Sequence, residues 1–519
     1  GALIDNFTIH SGPMTVKNVV VEKPGVYPIM KNGLYNPAVR LKYSVSGSTN
    51  PVTPGTITFK TTPGTLGKVT LRTGSADGTH FDDTVVYGTA KPAADGTVTL
   101  TCDKNLQAGD HTFWLDATPA KDCKVGAVVK FSDFSINVGG NEITPKVAPI
   151  SQRVGYMLAL PGTPVGNQPG GAGPRDCLAF RIPGIITTKK GTLIGVFDAR
   201  YTHGRDLCAD IDVAFVRSTD GGQTWSKPKI ALDGGPGDAN GCGDPAIVQD
   251  KNGRIWLQAL HCHFKGGASL WTSKKGNNYN TTGQWEMTYS DDDGKTWAEE
   301  HVNPTQSIKK DEWHCILAGP GCAITKKDGT IVFPAQIWQN DAKPPSRSTI
   351  CYSKDGGKTW VMGEGVPFRS SECQVVELAD GSLMLNCRNE NRAGKRAVYI
   401  TKDLGKTWTA HSSHLKLQEP SGACQASLYA IGNGQKLLFS NPKSGKRDHM
   451  TIRYSADAGK TWTEGLEYDT RGCAGYSCIT MVDKETVGII YEGGFPGENG
   501  NTLAICFLRI PLKTIMKGK

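Results

Sequence analysis

An eight-residue pattern, Ser-x-Asp-x-Gly-x-Thr-Trp, recurs five times beyond residue 217 and limits the folds open to this chain. The copies begin at Ser218, Ser290, Ser353, Thr401 and Ser455, with Thr replacing Ser once, and successive copies are 72, 63, 48 and 54 residues apart. In each copy the Asp can bond its own backbone, the Gly supplies a positive φ, and the Trp can pack the turn onto a sheet. Such spacing fits radially repeated four-stranded units, so the sequence predicts a β-propeller.

The composition agrees with an all-β chain of many short strands. The 519 residues include Gly 63 and Pro 29, which mark frequent turns. A hydrophobic fraction of 38% with 21% charged residues indicates a folded chain with an ample core. No run of about 18 apolar residues occurs, so we expect no membrane span.

Charge and cysteine usage argue against two classes of ligand. Lys+Arg 58 against Asp+Glu 49 gives a net charge of +9, but the basic residues are scattered, so we expect no nucleic-acid partner. The 15 cysteines contain no C-x-x-C pair, and His261-Cys262-His263 has no second ligand pair at a fixed spacing. The acidic turn 291–294 lacks the Glu of an EF-hand. We therefore expect no metal, and most cysteines to be small buried residues.

The N-terminal part of the chain has a different pattern from the repeats. Short segments such as residues 15–21 and 97–101 alternate polar and apolar side chains, which predicts a β-sandwich. Gly and Pro accumulate between residues 139 and 149. We therefore predict an accessory sandwich over residues 1–145 and a propeller over residues 146–519. If the sandwich binds carbohydrate, Trp114 and Tyr87 are the candidate aromatics, although core packing is the more common role of such residues.

The repeat resembles the Asp box of sialidases (neuraminidases), and a second motif narrows the resemblance. Phe180-Arg181-Ile182-Pro183 is similar to the F/Y-R-I-P signature of that family and lies upstream of the first box. The resemblance to bacterial exo-α-sialidases covers about residues 150–515. It implies a six-bladed propeller with the site on its central axis, the last blade lacking a box.

The resemblance also implies three substrate-binding arginines. Sialic acid carries a carboxylate on its anomeric carbon, and a planar guanidinium binds a carboxylate through two parallel hydrogen bonds, which lysine cannot do. The positions that match the family pattern are Arg181, Arg388 and Arg453. Each charge-assisted hydrogen bond would contribute roughly 1.5–3 kcal/mol.

The same substrate carboxylate favours a neutral nucleophile. An anionic side chain that approaches the anomeric carbon would be repelled, and sialidases are the known tyrosine exception among glycosidases. Tyr476 matches the family's tyrosine, and Glu372 matches the glutamate that activates it. A base is needed because an unperturbed phenol has a pKa of about 10. Glu377 is the rival base, but strand alternation places it on the opposite face from Glu372.

The acid/base residue must reach the leaving oxygen from another loop. Asp206, 25 residues after Arg181, matches the family's catalytic aspartate. Asp210 and Asp212 compete with it, but the segment 211–215 reads as a strand that would hold them in a blade.

Three further positions resemble family site residues. Arg200 resembles a further substrate-binding arginine, Asp244 resembles a contact to the 4-hydroxyl of the sugar, and Glu492 resembles the carboxylate that orients the first arginine. Ordinary turn or salt-bridge roles compete with each of these assignments.

Together these features predict a retaining exo-α-sialidase that acts without a cofactor. It would release terminal sialic acids from glycoproteins, glycolipids and oligosaccharides through a covalent sialyl-tyrosine. The alternatives are a trans-sialidase, inter- or intramolecular, a non-catalytic sialoglycan-binding propeller, and an Asp-box glycosidase acting on neutral polysaccharide. We expect a monomer that is secreted, periplasmic or on the cell surface, because such substrates lie outside the cell.

Overall fold

The computed structural model describes residues 12–75, 81–166, 173–264, 269–495 and 502–518. The helical segments in these ranges are one 3-10 turn and two short helices: η1 (Leu270–Thr272), α1 (Thr305–Ile308) and α2 (Leu512–Met516). The prediction of an all-β chain is confirmed. None of the helices in these ranges is long and apolar enough to cross a bilayer.

The chain divides into two compact units, with the main division between Tyr156 and Met157. The boundary that we place near residue 145 stays a prediction. In the first unit one sheet has the order β1-β3-β8-β5-β6, and a second has the order β7-β4-β9-β11, with β10 added to β9 and β2 to β11. The strands are β1 (Thr15–Glu22), β2 (Ile29–Lys31), β3 (Pro37–Ser46), β4 (Thr56–Thr61), β5 (Leu66–Gly74), β6 (Phe81–Ala90), β7 (Thr97–Thr101), β8 (Gly109–Pro119), β9 (Val128–Val138), β10 (Asn141–Ile143) and β11 (Ile150–Ala159), which runs across the division.

Both sheets of the first unit contribute to one apolar core. In β4 the apolar Ile57 and Phe59 are fully buried and alternate with threonine and lysine. They join Phe113 of the other sheet in the same cluster. The two candidate sugar-binding aromatics also pack inward: Trp114 is fully buried, and Tyr87 lies edge-on to Phe113 with ring centroids 4.8 Å apart. Neither side chain forms an exposed platform.

The second unit consists mainly of antiparallel strands that follow one another in the chain. The strands are β12 (Pro164–Val165), β13 (Arg175–Asp176), β14 (Ala179–Thr187), β15 (Leu193–Arg200), β16 (Ile211–Ser218), β17 (Lys229–Leu232), β18 (Asn240–Gln249), β19 (Ile255–His263), β20 (Gln284–Ser290), β21 (Cys315–Ala318), β22 (Gly321–Cys322), β23 (Ile324–Thr325), β24 (Ile331–Trp338), β25 (Ser346–Ser353), β26 (Val361–Met362), β27 (Ser370–Glu377), β28 (Leu383–Asn389), β29 (Ala397–Thr401), β30 (Thr409–Ala410), β31 (Ser427–Ile431), β32 (Lys436–Pro442), β33 (Met450–Ser455), β34 (Leu466–Asp469), β35 (Ser477–Met481), β36 (Thr486–Phe495) and β37 (Thr502–Pro511).

These strands form six successive antiparallel groups, which we call meanders 1 to 6. They are β14–β15–β16, β18–β19–β20, β21/β23–β24–β25, β27–β28–β29, β31–β32–β33 and β35–β36–β37. Meanders 1, 3, 4 and 5 add a fourth strand, namely β17, β26, β30 or β34. Meanders 1 and 2 share one sheet through a parallel bridge between β16 and β18. In meanders 1 to 5 the box begins at the last residue of the third strand.

Each box is closed by its own Ser or Thr hydroxyl and its Asp carboxylate. In the first box Ser218 Oγ donates to Asp220 Oδ1 (2.8 Å) and accepts from the backbone N of Gly222 (2.8 Å). Asp220 also accepts from the backbone N of Thr224 (3.0 Å) and from its hydroxyl (2.6 Å). The other four boxes repeat these bonds, with the Thr401 hydroxyl taking the place of serine once. The turn is thus built from side-chain bonds to its own backbone.

The box tryptophans connect each meander to the one before it. Trp297 of the second box lies on Phe215 of meander 1, with ring centroids 5.7 Å apart, and the third box makes the same contact with meander 2. Trp225 of the first box lies on Phe507 of β37, with centroids 4.9 Å apart. Meander 1 therefore packs on meander 6, so the contacts between meanders link the last one to the first.

Successive meanders also share apolar cores between their faces. Val332 of meander 3 and Val375 of meander 4 belong to one buried cluster, and Val376 joins Phe439 of meander 5 in the next. All fifteen cysteines are free, and all except Cys208 and Cys473 are buried or nearly so, as expected for small apolar residues. The burial of both faces explains why the strands contain few charged residues.

The Thr401 hydroxyl provides a test of the box bonds. Thr401→Val keeps the shape but removes the group that bonds Asp403 (2.8 Å) and the backbone N of Gly405 (2.9 Å). We expect it to lower the free energy of unfolding by about 1–3 kcal/mol, because a buried N–H loses its partner. Thr401→Ser, the residue of the other boxes, should change it by less than about 0.5 kcal/mol. Urea unfolding followed by tryptophan fluorescence measures both; equal midpoints for Val and Ser would contradict a role for the hydroxyl.

Candidate active site

All the predicted site residues except Arg453 gather at the end of the meanders opposite the boxes. The first strands of meanders 1, 2 and 4 each shift register once, and the shifts bracket Ile182, Asp244 and Glu372. Such bulges turn a side chain out of the regular alternation of a strand. Ile182 and Asp244 have φ values of 60° and 56°, which are uncommon for side chains other than glycine. The backbone is therefore strained at two residues that line the cleft.

A tyrosine, a glutamate and an arginine form the centre of the site. Tyr476, which precedes β35, donates a short hydrogen bond from its hydroxyl to Glu372 Oε1. Arg388 of β28 donates from Nη1 to Glu372 Oε2 (2.8 Å) and to the Tyr476 hydroxyl oxygen (3.1 Å). The structure thus brings these three predicted residues into direct contact.

The protonation state of the tyrosine follows from its surroundings. Burial and the neighbouring Glu372 carboxylate raise the pKa of Tyr476 well above its usual value, and the nearby arginines offset only part of this. At neutral pH the phenol therefore keeps its proton. Glu372 is the group that accepts its hydrogen bond, which is the position of a base.

A second carboxylate, Glu492 of β36, holds both sides of the cleft. Its side chain is 1% exposed, and Oε1 accepts from Arg181 Nε (2.9 Å) and from the backbone N of Ile182 (3.0 Å). Oε2 accepts from the backbone N of Tyr476 (2.9 Å). The Arg181 guanidinium lies 5.1 Å from the Tyr476 ring centroid. Glu492 therefore orients the first arginine and the tyrosine together, as the resemblance implies.

A third arginine beside Tyr476 is Arg447, which no motif of the sequence indicated. It lies on the loop between β32 and β33, and its guanidinium is 5.7 Å from the Tyr476 ring centroid. Nη1 donates to the carbonyl of Ala474 (2.9 Å) and Nη2 to that of Ala423 (3.0 Å). Together with Arg181 this places two guanidinium groups beside one phenol ring.

The structure does not bring Arg453 to this cluster. Its guanidinium donates to Asn441 Oδ1 (2.9 Å), and its side chain packs against Gly465. Arg453 lies two residues before Ser455, where the box begins, so it belongs to the end of the strand that points away from the cleft. That spacing is the sequence signal that could have excluded it, and we reassign the third position to Arg447.

Asp206 approaches the cleft from the loop between β15 and β16. Its side chain is 63% exposed, and Oδ1 accepts from Arg200 Nη1 (3.0 Å) and lies 3.7 Å from Arg181 Nη1. Burial raises the pKa of Asp206, but the charges of Arg200 and Arg181 outweigh it and hold the pKa below its usual value. Without a ligand the carboxyl is therefore ionised over most of the pH range.

Arg200 holds Asp206 in position through hydrogen bonds to its carboxylate and to its loop. It is 1% exposed, donates to Asp198 Oδ2 (2.8 Å) and to the carbonyl of Gly204 (2.8 Å), and so fixes both the strand and the loop that carry Asp206. This is a positioning role, and the buried guanidinium differs from the substrate contact that the resemblance implies. Asp244 lines the cleft, and burial together with the Asp198 charge raises its pKa well above the usual value.

The competing carboxylates all have partners elsewhere. Asp210 pairs with both terminal nitrogens of Arg175 (3.1 and 2.6 Å), and Asp212 accepts from the Tyr201 hydroxyl (2.7 Å). Glu377 accepts from a backbone N at residue 327 and lines a different cavity of about 520 Å³ near the box end of the unit. Glu377 thus lies apart from Glu372, but the bulge at Glu372 interrupts the strand alternation on which the prediction was based.

The cleft itself has a volume of about 370 Å³ and a partly aromatic wall. Trp271 is 46% exposed and lies on Trp338, with ring centroids 4.2 Å apart; both line the cleft, as does Glu390. Neither tryptophan is in a box, and the sequence carries no pattern that marks them. Among the residues that the structure describes, no three His, Cys, Asp or Glu side chains are placed to hold a metal ion.

Comparison with known proteins agrees with this geometry. A family model described as a BNR repeat-like domain matches residues 195–489. A sialidase of Bacteroides fragilis (strain YCH46) is 39% identical over 439 residues, covering 81% of this chain and 76% of that protein. The solved structure of the Hadza microbial sialidase Hz136 matches with a TM-score of 0.82 and 32% identity, over 95% of this chain and 99% of that one. The intramolecular trans-sialidase from Ruminococcus gnavus shares the fold, with a TM-score of 0.52 and 19% identity over 65% of this chain and 96% of that one.

The repeat model and these relatives place the chain among glycoside hydrolases built on box repeats. The chain belongs to the sialidase family, which confirms the resemblance seen in its motifs. It is an exo-α-sialidase, and its substrates are sialylated glycans.

The reassignment of the third arginine can be tested with two matched variants of one meander. We expect Arg447→Gln to raise the KM for a sialoside roughly tenfold to a hundredfold, since a charge-assisted hydrogen bond contributes about 1.5–3 kcal/mol. Arg453→Gln should change KM by less than about threefold, whatever it does to stability. Initial rates on an aryl sialoside give KM, and melting temperatures show that both variants are folded. A larger rise in KM for Arg453→Gln would restore the original assignment.

Proposed function

We propose that this exo-α-sialidase is a retaining hydrolase that acts through a covalent sialyl-tyrosine. The observation that carries the proposal is the hydrogen bond from the buried Tyr476 hydroxyl to Glu372, inside a group of arginines. A retaining glycosidase needs a nucleophile beside the anomeric carbon, and here the paired carboxylate serves as its base.

Arg181, Arg388 and Arg447 bind the substrate carboxylate. Guanidinium groups keep their charge at any physiological pH and match a carboxylate in geometry. Arg181 is fixed by Glu492 through Nε (2.9 Å) and Nη2 (3.5 Å), while its Nη1 lies on the side of Asp206, 3.7 Å from Oδ1. The substrate is therefore held with its anomeric carbon close to Tyr476, and proximity of this kind lowers the barrier substantially.

The reaction then proceeds in two displacements. In the first, Tyr476 oxygen bonds to the anomeric carbon as its proton passes to Glu372, while Asp206 gives its proton to the departing glycosidic oxygen. In the second, Asp206 takes a proton from water, the water oxygen bonds to the anomeric carbon, and the tyrosine oxygen leaves and regains its proton. Both displacements invert the anomeric centre, so the sugar is released with retention.

Substrate binding also solves a difficulty with Asp206. Its pKa is held below the usual value by Arg200 and Arg181, which is unsuitable for a general acid. When the substrate carboxylate binds Arg181, it offsets one of the two charges that keep Asp206 ionised. Protonation of Asp206 is therefore favoured when the substrate is bound.

Transfer is the second candidate, favoured by the two tryptophans at the cleft. Trp271 and Trp338 present an apolar wall where an acceptor sugar could stack and where water is displaced. The Ruminococcus gnavus structure shows that the fold also supports intramolecular transfer. Tyr476 and Glu372 would act as before, and only the group that attacks the sialyl-tyrosine would differ. Hydrolysis remains our first proposal because Asp206 is exposed enough for water to reach it.

We further propose a six-bladed propeller over residues 146–519, each meander being one blade, and a β-sandwich over residues 1–145. The contact of Trp225 with Phe507 supports a closed ring, because it joins meander 1 to meander 6. We place the enzyme outside the cytoplasm, secreted, periplasmic or on the cell surface, and expect a monomer. Its substrates would be terminal sialic acids of glycoproteins, glycolipids and oligosaccharides.

Product analysis with a tyrosine variant tests the nucleophile. Incubation with sialyllactose should release free sialic acid, identified by mass. Tyr476→Phe should lower kcat by about 10²-fold or more, because the attacking oxygen is lost. Tyr454→Phe, a second buried tyrosine of the same unit, is the matched control and should keep full activity. Full activity of Tyr476→Phe would reject the sialyl-tyrosine, and an anhydro or transferred product would change hydrolysis to transfer.

The acid role of Asp206 is tested by changing the leaving group. We expect Asp206→Asn to cost about 10²–10⁴ in rate on sialyllactose, where the leaving oxygen needs a proton. The loss should be much smaller on an aryl sialoside, whose phenolate departs without help. Equal losses on both substrates would move the acid role to another residue.

A further inference from the structure

Glu390 lies beside the central arginine but has no part in the mechanism described above. It follows β28 directly, its side chain is 13% exposed, and it lines the cleft. Oε1 lies 3.1 Å from Arg388 Nε, forming an ion pair, and accepts a short hydrogen bond from the Ser371 hydroxyl. Ser371 immediately precedes Glu372, so one carboxylate contacts both the arginine and the segment that carries the base.

The Arg388 guanidinium is therefore held by two carboxylates. Glu372 contacts Nη1 at 2.8 Å, and Glu390 contacts Nε at 3.1 Å. A guanidinium paired through one terminal nitrogen can still swing about its stem. The Glu390 carboxylate opposes this by attracting the guanidinium from its Nε side, without a hydrogen bond to Nε. The side that carries Nη2 is the part left for a ligand.

We propose that Glu390 is a positioning residue that orients Arg388 and, through its negative charge, limits how tightly the cleft binds a carboxylate. The proposal rests on the role proposed above for Arg388 as a ligand of the substrate carboxylate. Sialic acid keeps this carboxylate after cleavage, so the same arginines bind substrate and product. Without Glu390, Arg388 would be opposed by Glu372 alone and would hold both more strongly, and tighter uniform binding does not raise kcat.

Two substitutions distinguish the effect of the Glu390 charge from the effect of its contacts with Arg388 and Ser371. Glu390→Gln keeps an oxygen that can accept from Ser371 and face Arg388 Nε, but removes the charge. Glu390→Ala removes both the charge and the contact. The first change therefore tests the electrostatic role alone, and the comparison of the two tests orientation.

We expect opposite signatures from the two variants. Glu390→Gln should lower KM for an aryl sialoside about threefold to tenfold, because Arg388 loses a neighbouring negative charge, with kcat within about threefold. Glu390→Ala should lower kcat about tenfold or more, because the guanidinium is no longer held in its plane. The dissociation constant of 2,3-unsaturated sialic acid, measured by titration calorimetry, should fall with Gln in step with KM. A fall in KM is a result that simple loss of folding cannot produce.

Glu377→Gln and Glu377→Ala are the matched controls. Glu377 is a carboxylate on β27 of the same meander, but it lines the other cavity, so neither variant should change KM or kcat. The proposal is overturned if Glu390→Gln and Glu390→Ala give the same kinetics, or if their losses follow their melting temperatures.

Failure of this proposal can be told apart from failure of the proposed mechanism. Calorimetry with the unsaturated analogue requires no turnover and no nucleophile. Full activity of Tyr476→Phe together with the expected Glu390 signatures would reject the sialyl-tyrosine and support the role of Glu390. Loss of activity in Tyr476→Phe with wild-type behaviour of both Glu390 variants would support the sialyl-tyrosine and reject the role of Glu390.

Discussion

The bonds that each box makes to itself are the constraint on which the catalytic unit depends. A carboxylate and a hydroxyl of the box accept hydrogen bonds from backbone N–H groups of the turn, so these groups need no partner outside the box. Its tryptophan is then free to pack on the preceding meander, and the first such contact, between Trp225 and Phe507, joins the beginning of the unit to its end. Because the box ends are fixed, the opposite ends of the strands can accept bulges and strained backbone.

At these opposite ends of the strands, the cleft brings several positively charged arginines close together. Three guanidinium groups lie around one phenol, which would be unfavourable without compensation. Two buried or nearly buried carboxylates supply it: Glu492 pairs with Arg181, and Glu372 pairs with Arg388. Each carboxylate also contacts Tyr476, one at its backbone and one at its hydroxyl. The positions of Tyr476, Arg181 and Arg388 are therefore consequences of the same charge balance.

The sequence predicted those features of the fold and of the site that depend on a local pattern or a motif. The boxes predicted the all-β repeats because their turn chemistry is local, and motif matches found Arg181, Glu372, Arg388 and Tyr476, which do meet in the structure. Arg453 failed because the match was made by order along the chain, without asking which end of its strand faces the boxes. No pattern marks the tryptophans of the cleft wall, since their contact depends on how the 3-10 turn of meander 2 and the end of β24 in meander 3 come together.

The shifted pKa of Asp206 could not be predicted from the sequence either, because it depends on distances between charges in the folded chain. Asp206 could be found by its spacing from the R-I-P motif, but its lowered pKa comes from the charges of Arg200 and Arg181, and their distances from the carboxyl are set by the fold. An exposed acid on a loop, next to buried cations, responds to whatever anion enters the cleft. A substrate that carries its own carboxylate at the reacting carbon changes that field when it binds. In the proposed mechanism Arg181 therefore has two effects: it positions the substrate, and it links substrate binding to the protonation of Asp206.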